Sequence, residues 1–116
     1  MIHIEICPAH GGMAGYYRAT GHAGPGNERI CTAVSAIEEC LAANLGGVWN
    51  VKLRRTVNDG RYALNWNKSD HKGAGLQRAN QAAGFAYNGL RELQRTYPNI
   101  VQVEWKRPEN EWRVKT

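Results

Sequence analysis

The hydrophobic period of this chain switches repeatedly between two and three-to-four residues, and that switching restricts its fold more than any other feature. Ile2, Ile4 and Ile6 alternate with His3, Glu5 and Cys7, the pattern of a strand with one buried face. Between Glu28 and Leu45 the apolar residues Ile30, Val34, Ile37, Leu41 and Leu45 recur at helical spacing, so one stripe of a helix must be covered. Alternation returns at Trp49, Val51 and Leu53, and again at Tyr62, Leu64 and Trp66. Helical spacing resumes from Gly75 to Tyr97, placing Leu76, Ala79, Ala83, Ala86, Leu90, Leu93 and Tyr97 on one side. A last strand runs through Ile100, Val101, Val103 and Trp105. With a weaker second strand over Met13 to Thr20, the order is ββαββαβ. This predicts an α+β domain, a mixed or antiparallel sheet packed with two main helices.

The breaks between these runs agree with that order. Pro8 and Gly11-Gly12 end the first strand, and Asn58-Asp59-Gly60 marks a hairpin between the third and fourth. Asn27 is placed as the N-cap of the first helix, and Gly46-Gly47 as its end. Pro98 stops the second helix, and residues 106–116 are polar enough to fray or add an edge strand. All 116 residues fit one domain, which at this size buries roughly two-thirds of its unfolded surface without disulfides or a metal staple.

Composition narrows the class. Cys7, Cys31 and Cys40 are an odd set, as expected of thiols in a reducing compartment. No run approaches the ~20 apolar residues that cross a bilayer, and the start lacks the regions of a secretory signal. A cytoplasmic protein without membrane partners is therefore expected. The formal charge of +5 suits acidic or phosphate-rich partners but is common in ordinary domains, so it names none.

The segment from Gly21 to Asn27, GHAGPGN, is too rich in glycine for a helix or strand interior and reads as a mobile loop. It holds His22, nine residues before Cys31 in the first turn of the following helix. Helix starts carry unpaired N–H groups and a positive dipole end, which favour a thiolate. An imidazole on the loop can take the thiol proton and return it to a leaving amine, while the open N–H groups meet an oxyanion. Ser35 lies one turn beyond Cys31 on the same face, within reach of a substrate or a reacting group. The plainer reading is a packed cysteine and a solvated histidine, and spacing alone favours it.

The words themselves shift the balance. Gly21-His22-Ala23, a short loop, and then Ile30-Cys31-Thr32-Ala33-Val34-Ser35-Ala36 resemble the ribosomal-processing cysteine proteases of the Prp, or YsxB-like, family. The resemblance implies a small α+β homodimer that removes a short N-terminal extension from a ribosomal protein, or serves phage structural-protein maturation, without a cofactor or metal. It implies His22 and Cys31 as the catalytic dyad, Ser35 as the family's serine, and Glu28 where members usually carry aspartate. Apart from the resemblance, Gly21, Ala23, Gly24 and Gly26 read as the substrate loop, and if Gly24, Pro25 and Gly26 form a lid, substrate binding would order it and bring His22 within reach of Cys31. Two departures stand out: the loop between histidine and cysteine is shorter than usual, and Arg29 replaces an aliphatic residue.

Two other readings compete. Cys7 and His10 have C-x-x-H spacing and, with His22 and Cys31, make a nominal zinc set, though without a second close pair. A basic RNA- or ribosome-binding module would use Lys52, Arg54, Arg55, Arg61, Lys106, Arg107, Arg113 and Lys115 with stacking tryptophans. Trp49, Trp66 and Trp105 share the aliphatic core register, which leaves Trp112 as the exposed candidate and nucleic acid the weaker partner. Gly73-Ala74-Gly75 lacks Walker spacing and reads as a hinge or cap. Cys40, beside Leu41, is expected to be packed, Cys7 structural, and His3 and His71 on the surface.

Overall fold

A computed structural model describes residues 1–10, 14–48, 53–58, 60–66 and 74–107. Strands β1 (Ile2–Cys7), β2 (Gly15–Thr20), β3 (Leu53–Asn58), β4 (Arg61–Trp66) and β5 (Val101–Trp105) form one sheet in the order β3-β4-β2-β1-β5. The sheet is mixed: β5 pairs parallel with β1, and every other pairing is antiparallel. Helices α1 (Glu28–Ala42) and α2 (Ala74–Thr96) complete the expected ββαββαβ order.

Register explains why one face is covered. Ile4 stands opposite both Ala19 and Val103, and Ala19 opposite Tyr62, so the apolar positions of four strands share one side. Ile30, Val34 and Leu41 of α1 and Ala79, Ala83 and Leu90 of α2 join that side in a single core. The alanines of α2 let its backbone come close to its neighbours. The opposite face carries His3, Arg18, Thr20, Arg61, Gln102 and Glu104 and is open, giving a two-layer domain.

Several local expectations are corrected. The first helix does not stop at Gly46 but widens into a π-helical turn over Ala43–Val48, which keeps Leu45 fully buried. Glycines tolerate a wide turn as readily as a stop. Asn27 caps α1 by position only: its Nδ2 donates to the Ala23 carbonyl and no side-chain cap bond forms. Cys40 is exposed instead of packed, because it lies off the line of Val34 and Leu41. Tyr97 is 40% exposed, beyond the end of α2, so the stripe of that helix stops short of it. Cys7 is buried along with Ile6, although successive strand residues face opposite sides, and burial pushes its thiol up from the ordinary range. The third strand starts at Leu53; the alternation at Trp49 and Val51, Asp59 of the hairpin, His71, Gly73 and residues 108–116 lie outside the described residues.

Candidate active site

At the end of the sheet where β2 leaves and β4 enters, a cleft of about 220 Å³ opens between α1 and the β3–β4 hairpin. His22, Cys31 and Ser35 all line it, together with Gly21, Glu38, Gly60 and Tyr62. Residues 31, 35 and 38 fall on one side of α1 because three- and four-residue steps return to the same face. His22 arrives from the other wall, on the loop that follows β2. The loop is tied at its root, where Gly21 N–H donates to the Gly60 carbonyl at 2.9 Å. Gly21 has φ +95°, a conformation that glycine adopts without cost.

The two groups line the same space. His22 is exposed and Cys31 half-buried, and no hydrogen bond joins the Cys31 thiol to His22 among the described residues. The Cys31 N–H donates to the Asn27 carbonyl at 3.4 Å and Ile30 N–H to the same oxygen at 3.0 Å. The expectation that the backbone N–H groups nearest the thiol are open is therefore corrected: helix pairing already uses those of Cys31 and Ile30.

The other residues singled out in sequence are dispersed. Glu28 accepts from Gly26 N–H at 3.2 Å, so its carboxylate braces the glycine turn. Asn27 N–H donates to the Gly24 carbonyl at 3.2 Å and closes that turn, which is exposed and lies outside the cleft lining. Ala23 is packed into the core, leaving Gly21 as the one member of the predicted substrate loop on the cleft wall. The zinc reading fails on geometry. Cys7 ends β1 at the opposite end from Ile2, which lines the cleft, and no three His, Cys, Asp or Glu residues among those described could together hold a metal. Trp66 has no exposed surface, so its ring is not open for base stacking, and Trp105 packs edge-on against Tyr87 at 5.2 Å. Trp49, Trp112, Lys52, Arg113 and Lys115 lie outside the described residues.

Sequence reasoning missed the cleft's deepest polar group. Glu38 is only 6% exposed, the one buried charged residue among those described. Tyr17 O–H donates to its Oε2 at 2.7 Å, and Tyr62 O–H donates to its backbone carbonyl at 3.4 Å. The two rings meet edge to face at 6.0 Å. The signal was present: position 38 is four beyond Val34 and three before Leu41, inside the apolar stripe, where a carboxylate needs a partner.

Burial, followed by the Glu38 carboxylate beside it, drives the Tyr17 phenol far above its ordinary 10.0. The folded state thus holds a proton that the unfolded chain releases. Tyr17's contribution to stability is complete below about pH 10 and is lost above it by up to ~1.4 kcal/mol per pH unit. Tyr17→Phe is expected to cost about 1.5–3 kcal/mol at neutral pH and to flatten this alkaline slope. Urea denaturation at neutral pH and above pH 10 checks both, and curves that stay parallel would reject the buried pair.

Fold and cleft together define a two-layer α+β domain that presents a thiol and an imidazole at one end of its sheet. Solved structures with this fold include the essential ribosomal processing protease Prp from S. aureus in complex with a substrate peptide. That match has a TM-score of 0.74 and 14% identity, over 91% of this chain and 100% of that one. The same protease with a covalently linked product peptide aligns at TM-score 0.70 and 16% identity, with 91% and 100% covered. SMU.848 from Streptococcus mutans aligns at 0.69 and 22%, with 93% and 96% covered. No protein-family model and no curated protein sequence matches the chain. At these identities the likeness shows a shared fold, reaching well beyond the Gly21–Ala36 motif.

Proposed function

We propose that the chain is a cysteine endopeptidase of the Prp type. The observation that carries this reading is the convergence of His22, Cys31 and Ser35 on one cleft, in a fold shared with a protease held with substrate and product peptides. His22 takes the Cys31 thiol proton, and the sulfur attacks the scissile carbonyl to give a tetrahedral oxyanion. As the C–N bond breaks, the imidazolium gives that proton to the leaving amine, and a thioester remains on Cys31. His22 then takes a proton from water, the hydroxide attacks the thioester, and the thiolate is released with the acid product.

With the Cys31 amide already paired, Ser35 Oγ is the hydroxyl on the cleft wall that meets the substrate carbonyl. Because no hydrogen bond joins the dyad in the free protein, substrate tightens a pairing that the shared cleft already sets up, and the Gly24–Gly26 turn braced by Glu28 is the segment that adjusts. No metal or organic cofactor has a step in this sequence.

The substrate class is a protein with a removable N-terminal segment, from the ribosome or a phage capsid or scaffold. Wild-type and Cys31→Ala protein incubated with host lysate or capsid-gene products, followed by mass spectrometry of new N-termini, tests this. Cuts at one shared sequence that need Cys31 are expected; identical N-termini in both samples would reject the reading. The protein is also assigned as a homodimer, for which light scattering should give about twice the 12.9 kDa chain mass; a monomer at working concentration would reject that assignment.

A further inference from the structure

The β3–β4 turn lies against the imidazole. Gly60 has φ +67°, and a Cβ built on it would sit 2.9 Å from His22 Nε2, with Cδ2 at 3.5 Å and Cε1 at 3.6 Å. The nearest atom is the ring nitrogen, followed by the two carbons that flank it. The tip of the ring therefore points at the place where any other residue would carry a side chain. The same glycine accepts the Gly21 N–H through its carbonyl, so one residue both anchors the loop backbone and stops the ring that the loop carries. The thiol does not hold the ring, since no hydrogen bond joins Cys31 to it.

We propose that Gly60 is a positioning residue for His22: its bare Cα is the seat that sets how far the imidazole stands from Cys31. The proposal rests on the dyad reading and extends it to a residue 38 positions away from His22 in the chain, which no motif connects to it. A methyl group at position 60 must push the ring tip out of this seat, and misplacement of a catalytic group by about 1 Å is enough to cost ~10²-fold in rate. The other polar groups on the cleft wall are Cys31, Ser35 and Glu38 from α1 and Arg61 and Tyr62 from β4, while the α-amino group of Met1 donates to the His22 carbonyl at 2.8 Å. None of these is altered by the substitution.

The test needs no knowledge of the substrate. Alkylation of Cys31 by iodoacetamide in the full chain is followed by mass spectrometry from about pH 5 to pH 9. It is read on the Cys31 peptide so that exposed Cys40 does not interfere. Wild type, Gly60→Ala, His22→Ala and the double variant are compared. His22→Ala is expected to lower the rate, because it removes the base that takes the thiol proton. Gly60→Ala should follow it, with a loss of about tenfold near neutral pH, and should add nothing in the His22→Ala background.

A wild-type profile in Gly60→Ala, with His22→Ala altered, would overturn the positioning role and leave the dyad standing. A wild-type profile in His22→Ala would overturn both. Should Gly60→Ala fail to fold, the double variant decides. Folding restored by removal of the ring supports the contact, whereas a double variant that also fails assigns the loss to backbone strain at positive φ and overturns the proposal.

Discussion

Alanine at Cys31 is expected to abolish peptide cleavage while leaving the fold in place. In the proposed mechanism the thiol forms and breaks the only covalent bond to the substrate, so no second group on the cleft wall replaces it. Loss of a nucleophile that works as a unit with its base costs at least ~10⁴-fold in rate. The structural cost is small because Cys31 is half-buried at the margin of the core, and alanine keeps its Cβ. Its N–H bond to Asn27 belongs to the backbone and survives the change. Thermal unfolding should therefore shift by only a few degrees. Cleavage within tenfold of wild type would remove Cys31 from the mechanism, and an unfolded variant would show that the residue belongs to the core.

The largest effect on stability is expected at the other end of the sheet. Trp66 is fully buried, and its indole lies over Gly15, its partner in the β2–β4 register, where a Cβ would collide with Nε1. The indole N–H donates to Asn80 Oδ1 at 3.3 Å, and the same side chain bonds both the N–H and the carbonyl of Ala9. Trp66→Ala leaves a cavity over a glycine and strips one donor from the half-buried Asn80 amide. Such truncations cost about 3–5 kcal/mol, a large share of the ~5–15 kcal/mol that holds a domain together. A fall in Tm of roughly 15–30 °C follows for a chain of this size. A loss under about 1 kcal/mol in urea would show that the indole is not packed as described.

Much of this architecture was legible because it is written in local periodicity. Ile2, Ile4 and Ile6, the stripe from Ile30 to Leu41 and the run from Ala79 to Leu90 each face the core as their spacing requires. His22 and Cys31 were legible as a motif, and the structure places both on one cleft. What stayed hidden depends on strand order. Nothing in the Asn58-Asp59-Gly60 signal says that its turn will rest on a histidine 38 residues earlier, since that meeting follows from β4 lying beside β2. Tyr17 and Glu38 likewise meet only once α1 lies across the sheet. The polar doublet Glu38-Glu39 reads as helix surface unless each position is checked against the stripe, and then Glu38 stands out. The wide turn at the end of α1 had no readable cue, because Gly46-Gly47 serves a stop and a wide turn equally well.

The pairing of β1 with β5 also bears on how the chain is made. Ile2 is opposite Val101, so the inner strand β1 keeps one edge bare until a segment 99 residues later has been synthesised. At about 5–20 residues per second, that edge waits ~5–20 s on the ribosome. The β1–β2 pair and the β3–β4 hairpin are translated well before then, and with them both walls of the cleft. The parts of the candidate site thus exist on the nascent chain before the sheet that fixes them is closed. An unpaired, isoleucine-rich strand is a template for other chains during the same interval. Folding yield in this architecture therefore depends on how quickly the final strand arrives, and a translational pause anywhere between β1 and β5 lengthens that wait.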